Sequence, residues 1–173
     1  MLNYTSYDII SLDETYFYYD MTPVYGWNKS NLRLNQYTKG KSMKKISLLM
    51  AISYSKIISW KLYDSSLNSQ YFCEFIENLN CHNKILLMDN VKFHKTENVK
   101  NIVHKNNNKI IYIPPYSPQY NPIEEVFSKI KHMYRKNMSI NNIHERVTQS
   151  ISYITNFDLK KFYDHSFTGL LKI

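Results

Sequence analysis

Residues 110–131, IIYIPPYSPQYNPIEEVFSKIK, combine a short apolar run, four prolines and the start of an amphipathic helix. The run from Ile110 to Ile113 is β-branched and aromatic, which predicts a buried strand. The prolines that follow prevent regular structure until Pro122, a residue well suited to the first turn of a helix. The stretch therefore predicts a strand, a stiff turn and a helix in direct succession.

The predicted helix has two distinct faces. Asn121 occupies its N-cap position, and apolar residues recur at helical spacing, so that one face packs inward. These apolar residues are Ile123, Phe127, Ile130 and Tyr134. Glu124 lies beside this face, on the same side of the helix as Lys131 and Arg135. The helix dipole alone favours a carboxylate in the first turn, so Glu124 by itself does not indicate a site.

Two further apolar runs of strand length lead directly to a carboxylate. Residues 84–88, KILLM, precede Asp89, and residues 7–12, YDIISL, precede Asp13. Together with Glu124, three carboxylates are therefore expected at the ends of core elements.

Composition narrows the class of protein. The 173 residues contain no internal repeat or low-complexity linker, so a single domain over residues 1–173 is expected. With 22 Lys and Arg against 14 Asp and Glu, the net charge is +8. This excess favours an anionic partner, nucleic acid foremost, although a basic soluble protein of another function would show it too.

Location and redox state also follow from the sequence. No apolar run approaches the roughly 18 residues that cross a bilayer, and the N-terminus lacks the basic and apolar regions of a signal peptide. A soluble, intracellular protein without a membrane partner is expected, located wherever the DNA of the cell lies. Cys73 and Cys81 are too few for a disulfide framework and are expected to be reduced and buried. Cys81 and His82 do not form a zinc motif.

The remaining segments predict the other elements of the fold. Two strands at 46–54 and 56–63 are joined by a tight turn. Apolar periodicity and capping residues predict helices at 67–79, 96–106, 141–155 and from 158 to about 165. The order predicts a mixed five-stranded sheet, three antiparallel strands and then two parallel ones, with helices on both faces and C-terminal helices. If the first and fourth strands are parallel neighbours, Asp13 and Asp89 emerge at one edge.

Two connecting segments leave alternatives open. The aromatic residues within 16–31 are expected mainly to pack, but exposed rings could instead stack on unpaired bases. The basic connection 33–45 is either a solvated loop or a contact to a DNA backbone.

Several motifs carry a resemblance to a known family. They are Asp13-Glu14, Gly26-Trp27, Asp89-Asn90 followed by His94, Pro114-Pro115-Tyr116-Ser117-Pro118 and Asn121-Pro122-Ile123-Glu124. The interval between Asp89 and Glu124 comprises the 34 residues 90–123. On these residues nearly the whole chain resembles the catalytic domain of DDE transposases of the mariner superfamily, particularly the bacterial insertion-sequence branch. The resemblance implies an α/β, ribonuclease H-like fold.

The resemblance also implies metal-dependent chemistry on DNA. Asp13, Asp89 and Glu124 are implied as catalytic residues and as ligands of two Mg²⁺ ions, which Mn²⁺ can replace. Such ions prefer oxygen ligands, and a pair about 3.5 to 4 Å apart can stabilise both the attacking and the leaving oxygen. The implied reactions are hydrolysis of DNA at transposon ends and strand transfer into target DNA, in cut-and-paste transposition. A homodimer is implied in the active complex.

Supporting residues are predicted near the acids. Asn90 and His94 are expected to orient a carboxylate or to touch a phosphate, with a structural role for His94 as the alternative. Lys131 and Arg135 either hold the DNA backbone or solvate the helix. Two adjacent acids are not expected to be ligands. Glu14 should point to the strand face opposite Asp13, and Glu125 is rotated about 100° from Glu124 on the helix.

Recognition of transposon ends is expected to lie outside this chain. Relatives carry an N-terminal helix-turn-helix region, whereas twelve residues precede Asp13. The expectation is a catalytic half that works with a separate helix-turn-helix polypeptide, or a truncated remnant. Two alternatives to a transposase are a non-catalytic or domesticated DNA-binding remnant and a ribonuclease H-like nuclease, which would not be expected to carry the SPQYNPIE turn.

Overall fold

A five-stranded sheet forms the centre of the computed structural model, which describes residues 5–19, 21 and 45–168. The strands are β1 (Ile9–Tyr18), β2 (Lys45–Ser53), β3 (Ile57–Tyr63), β4 (Ile85–Met88) and β5 (Lys109–Tyr112). Their order across the sheet is β3-β2-β1-β4-β5. Strands β1 to β3 pair antiparallel, and β4 and β5 continue the sheet parallel to β1. The predicted mixed sheet is therefore confirmed.

In the part of the chain that the structure describes, five helices cover the two faces of the sheet. They are α1 (Ser69–Asn78), α2 (Glu97–Lys105), α3 (Pro122–Lys136), α4 (Ile143–Ser152) and α5 (Asn156–Thr168). The predicted helices are all present, and α5 continues three residues beyond its predicted end at His165. The side chain of Asn68 caps α1 by accepting a hydrogen bond from the N–H of Tyr71 at 2.9 Å.

The alternation of side chains along β1 and β2 divides the core in two. Leu12 and Leu49 point towards α1 and α2, whereas Phe17 and Leu48 point towards α3, α4 and α5. The apolar face of α3 that the sequence predicts is buried in the second of these layers. Helix α3 is thus held against the same face of β1 from which Phe17 projects.

The predictions for β1 and β5 need correction. Strand β1 runs to Tyr18, so Asp13 lies in its middle and not at its end, because the aromatic residues after Glu14 continue the pairing with β2. Tyr7, predicted as strand, belongs to a short 3-10 turn, Ser6–Asp8. Strand β5 is not buried, since it lies at the edge of the sheet and leaves Ile111 48% exposed.

A buried arginine joins the end of β1 to the connection between α3 and α4. Arg146, 1% exposed, donates hydrogen bonds to the carbonyl oxygens of Ile140 and Tyr19. Its guanidinium also lies 4.9 Å from the ring centroid of Tyr134. Carbonyl dipoles and an aromatic face thus balance this buried charge.

Some expectations lie partly or wholly outside the described residues. Of the basic connection 33–45 only Lys45 is described, and the Gly26-Trp27 pair is not. Cys73 and Cys81 are free, as predicted, but only partly buried. No helix within residues 5–19, 21 and 45–168 is long and apolar enough to cross a membrane.

Candidate active site

The three predicted acids line one cleft between the sheet and the start of α3. Ser11 in β1 pairs with Leu87 in the parallel strand β4. Asp13 and Asp89, each two residues further along, line the same cleft. Glu124 approaches from the first turn of α3. The cleft has a volume of about 250 Å³, and its other lining residues are Asn90, Asn121 and residues 113–118. Residues distant in sequence are thereby brought to one place.

Asp13 is the most buried of the three acids, at 5% exposure. Its Oδ1 accepts a hydrogen bond from the N–H of Glu14 at 2.8 Å. Burial, together with the negative charges of Glu14, Asp89 and Glu124, raises the pKa of Asp13 well above its ordinary value. The cleft therefore brings several acidic groups close to Asp13.

Asn121 holds the second oxygen of Asp13. Its Nδ2 donates to Asp13 Oδ2 at 2.9 Å, and its Oδ1 accepts from the hydroxyl of Ser11 at 2.5 Å. Asn121 does precede the first residue of α3, as predicted, but within the described structure its side chain makes no capping hydrogen bond to that helix. The predicted position before the helix is correct, but the side chain of Asn121 binds Asp13 instead of capping α3.

Asp89 is held from the other side of the sheet. The Nδ1 atom of His94 lies 2.6 Å from Asp89 Oδ1, and its Nε2 lies 3.4 Å from Glu14 Oε2. Burial lowers the pKa of His94, but contacts with the two carboxylates outweigh this and raise it to about 9. His94 is therefore a buried imidazolium between two acids at neutral pH.

Aromatic rings fix the plane of the His94 imidazole. The ring of Phe72 stacks on it with centroids 4.1 Å apart, and Phe93 packs edge-on at 4.4 Å. Because Glu14 meets His94 here, its side chain points to the α1 and α2 face, opposite Asp13. The predicted separation of these two neighbouring acids is confirmed.

Glu124 lies at the exposed mouth of the cleft, and cations follow it along α3. Partial burial raises the pKa of Glu124; the charge of Lys131 lowers this pKa, and the charge of Asp89 raises it further. Partial burial lowers the pKa of Lys131, while Glu124 acts in the opposite direction. Arg135 is also partly buried, and among the described residues its Nε has no hydrogen-bond partner. Glu124, Lys131 and Arg135 thus form one charged side of the helix, as predicted.

The adjacent acid Glu125 lies apart from this side of α3. Its Oε1 contacts Nδ1 of His165 in α5 at 2.6 Å.

Asn90, which follows Asp89, lines the cleft and is exposed.

The proline-rich turn forms the outer wall of the cleft. At its tip Tyr116 has a φ of 59°, and its side chain is fully exposed. A positive φ is costly for a residue with a β-carbon, so Tyr116 marks a sharp turn in this wall. The stiffness that the prolines predict for this turn stays a prediction.

The acids share the cleft without forming a closed ligand cage. Within residues 5–19, 21 and 45–168, no group of three or more His, Cys, Asp or Glu side chains is arranged to hold a metal ion. Asp89 Oδ1 is directed to His94, and one oxygen of Asp13 is directed to Asn121.

Sequence comparison gives the family. The sequence pattern of the family described as DDE superfamily endonuclease matches residues 8–145, which include all three acids. The chain belongs to the DDE superfamily. In a comparison with curated proteins, no sequence matched this DDE chain.

Solved structures with similar folds support the architecture. The Mos1 transposase paired-end complex with the left transposon end aligns with a TM-score of 0.77 at 14% identity, covering 96% of this DDE chain and 54% of that one. The Mos1 transposase catalytic domain with raltegravir and Mg aligns with a TM-score of 0.70 at 14% identity, covering 94% of this chain and 79% of that one. A simian T-cell lymphotropic virus intasome in complex with a PP2A regulatory subunit aligns with a TM-score of 0.62 at 12% identity, covering 89% of this chain and 54% of that one.

These likenesses confirm the ribonuclease H-like fold expected from the sequence. The DDE chain spans about half the length of the Mos1 transposase chain in the paired-end complex. Ser11 and Asn121 were not among the predicted site residues, although two signals were present. Ser11 shares a strand face with Asp13, and Asn121 stands in the motif that contains Glu124.

Proposed function

We propose that this chain is the catalytic domain of a DNA transposase that hydrolyses phosphodiester bonds at transposon ends and transfers the freed strands into target DNA. The observation that carries this proposal is the convergence of Asp13, Asp89 and Glu124, from two strands and a helix, on one cleft. Membership of the DDE superfamily and the fold shared with Mos1 transposase support it.

The donor set fits divalent cations. Asp13, Asp89 and Glu124 offer carboxylate oxygens, the ligands that Mg²⁺ and Mn²⁺ prefer. Burial and the repulsion of the neighbouring carboxylates raise the pKa of Asp13, and a bound cation would favour its ionised form. Mos1 structures with Mg and with Mn are in line with this choice. We assign the three acids as ligands of two such ions, which when bound would stabilise the developing negative charge on the phosphate oxygens.

Other residues around the cleft would position the acids and the DNA. His94 would hold the Asp89 carboxylate in place through its 2.6 Å contact, and Asn90 would face the phosphate at the exposed mouth. Lys131 and Arg135 would bind the DNA backbone, because their charges continue from the cleft along α3. The net charge of +8 suits this partner.

The assembly that we propose contains more than this chain. Transposon ends and target DNA are the substrates, a homodimer would process the two ends, and residues 1–173 would form one catalytic domain. A separate helix-turn-helix polypeptide would recognise the terminal sequences. The described fold resembles the Mos1 catalytic domain over 94% of this chain, which supports the assignment of a single catalytic unit.

Asp89→Asn tests the catalytic assignment. Purified protein with Mn²⁺ is expected to nick supercoiled DNA and to join oligonucleotide ends to it, whereas the variant should lose both activities. Glu125→Gln is the matched control, because Glu125 neighbours Glu124 in sequence but contacts His165. Circular dichroism checks that both variants fold. Cleavage that survives in folded Asp89→Asn refutes the assignment, and DNA binding without any Mn²⁺-dependent cleavage by the wild type would instead indicate a non-catalytic remnant.

A further inference from the structure

We propose that Asn121 is a positioning residue that fixes the first acid, Asp13, relative to the third, Glu124. This role rests on the proposed function, because it concerns how the same cleft would receive a divalent cation. It differs from the capping role that the position of Asn121 predicts. Its basis is a buried chain of hydrogen bonds from β1 to the start of α3.

The three residues of this chain of hydrogen bonds are buried beneath the cleft. Ser11, Asp13 and Asn121 are respectively 0%, 5% and 2% exposed. The hydroxyl of Ser11 donates to Asn121 Oδ1, and Asn121 Nδ2 donates to Asp13 Oδ2. At this low exposure the polar atoms depend mainly on their protein partners for hydrogen bonds.

The carboxylate of Asp13 selects the orientation of the Asn121 amide, and the hydroxyl of Ser11 supports it. With the hydroxyl hydrogen on Oδ1, the amide presents its N–H₂ group to Asp13. The reversed amide would set an oxygen against a carboxylate, which is repulsive. Ser11 is itself fixed, because its backbone N–H donates to the hydroxyl of Tyr163 in α5 at 3.2 Å.

The same residue also begins the turn that carries Glu124. The carbonyl oxygen of Asn121 accepts a hydrogen bond from the N–H of Glu124 at 3.0 Å. The side chain of Asn121 thus binds the first acid, while its backbone binds the residue that bears the third. A single residue therefore sets the spacing between two acids that belong to different elements.

Two of the lone pairs of Asp13 are used by this arrangement. Oδ1 accepts from the backbone of Glu14 and Oδ2 accepts from Asn121, which together fix the plane of the carboxylate. An ionised carboxylate has about four acceptor positions, so about two remain for a cation. Removing the amide would free the carboxylate to rotate, and the cleft would lose a prearranged ligand.

Mn²⁺ binding by the full chain without DNA tests this role. Free Mn²⁺ is measured by electron paramagnetic resonance during titration of wild type, Asn121→Ala and Ser11→Ala. We expect Asn121→Ala to weaken Mn²⁺ binding by about 10-fold or more, the usual effect of removing a partner of a metal ligand, and Ser11→Ala to weaken it by less. The double variant should bind as weakly as Asn121→Ala alone, because both residues act through one amide.

Asn142→Ala is the matched control. Asn142 is a true N-cap, whose side chain accepts hydrogen bonds from His144 and Glu145 at the start of α4. Its loss should lower stability against urea and leave the Mn²⁺ affinity unchanged. A purely structural Asn121 would behave in the same way, so an Asn121→Ala protein with wild-type affinity overturns the proposal.

The remaining outcomes separate this inference from the proposed function. If Asn121→Ala does not fold, Ser11→Ala decides, and wild-type affinity in that variant overturns the positioning role. If the wild type binds Mn²⁺ and the Asn121→Ala and Ser11→Ala variants bind it equally well, the proposed function stands and the positioning role of Asn121 falls. A wild type that binds no Mn²⁺ overturns both.

Discussion

Raising the pH should remove the stability that the charge on His94 provides. This histidine is fully buried and lies between the carboxylates of Asp89 and Glu14. In the unfolded chain its pKa is near 6.5, whereas in the folded protein it is about 9. Between pH 6.5 and about 9, the folded protein therefore holds a proton on His94 that the unfolded chain has lost. The free energy of unfolding falls as the folded protein loses this proton.

The size of the effect follows from the two pKa values. Each pH unit between 6.5 and about 9 corresponds to about 1.4 kcal/mol, so the full contribution is about 3 kcal/mol. It is complete below pH 6.5, declines steadily as pH rises, and is gone above pH 9. A protein of this size has a free energy of unfolding of about 5 to 15 kcal/mol, so the loss is a substantial fraction.

Urea denaturation of wild type and His94→Gln, in EDTA at pH values from 6 to 10, measures this contribution. The difference in free energy of unfolding between the two proteins should shrink by about 3 kcal/mol over this range. His132→Gln serves as the control, because His132 is exposed on α3. A difference that stays constant with pH would refute the view that His94 is charged between the two acids.

Three other perturbations test separate parts of the structure. Arg146→Met should lower the free energy of unfolding by about 3 kcal/mol in urea, since the carbonyl oxygens of Ile140 and Tyr19 lose a charged donor that is itself buried. Mn²⁺ should bind more weakly at pH 6 than at pH 8 in calorimetric titration, because the raised pKa values of Asp13 and Glu124 let protons compete. Lys131→Ala and Arg135→Ala should each reduce the slope of log K against log salt for DNA binding by about 1.

Each of these tests has an outcome that contradicts it. Wild-type stability of Arg146→Met would mean that water or other donors satisfy the carbonyls of Ile140 and Tyr19. Mn²⁺ affinity independent of pH would place the ion away from the acids. An unchanged salt slope in both helix variants, with Lys56→Ala as an exposed control on the β2–β3 turn, would show that α3 does not meet the phosphates.

The order of elements and the apolar faces could be predicted from the sequence because each depends on local spacing. The face of α3 is an example, since Ile123, Phe127 and Ile130 recur at helical intervals and are all buried. The pairing of β1 with β4, which brings Asp13 and Asp89 to the same cleft, was also within reach, because a parallel crossover places strand ends together.

The extent of β1 was harder to predict, because two consecutive acids resemble the end of a strand. Asp13 is tolerated in mid-strand since Asn121, distant in sequence, supplies a donor. The capping position of Asn121 was evident from the prolines around it, but sequence spacing does not show that its amide turns to β1 instead. The exposure of β5 depends on sheet order, which apolar composition does not encode.

Side chains alternate between the two faces of β1, so the register of this strand determines which residues face the candidate active site. Ser11 and Asp13 serve one side of the sheet, and Glu14 serves the other through His94. A one-residue insertion or deletion before Ser11 that slipped the strand would exchange these faces, turning Asp13 towards the imidazole and Glu14 towards Asn121. Length changes in this strand should therefore be far less tolerated than substitutions at its exposed end, where Tyr18 is 46% exposed.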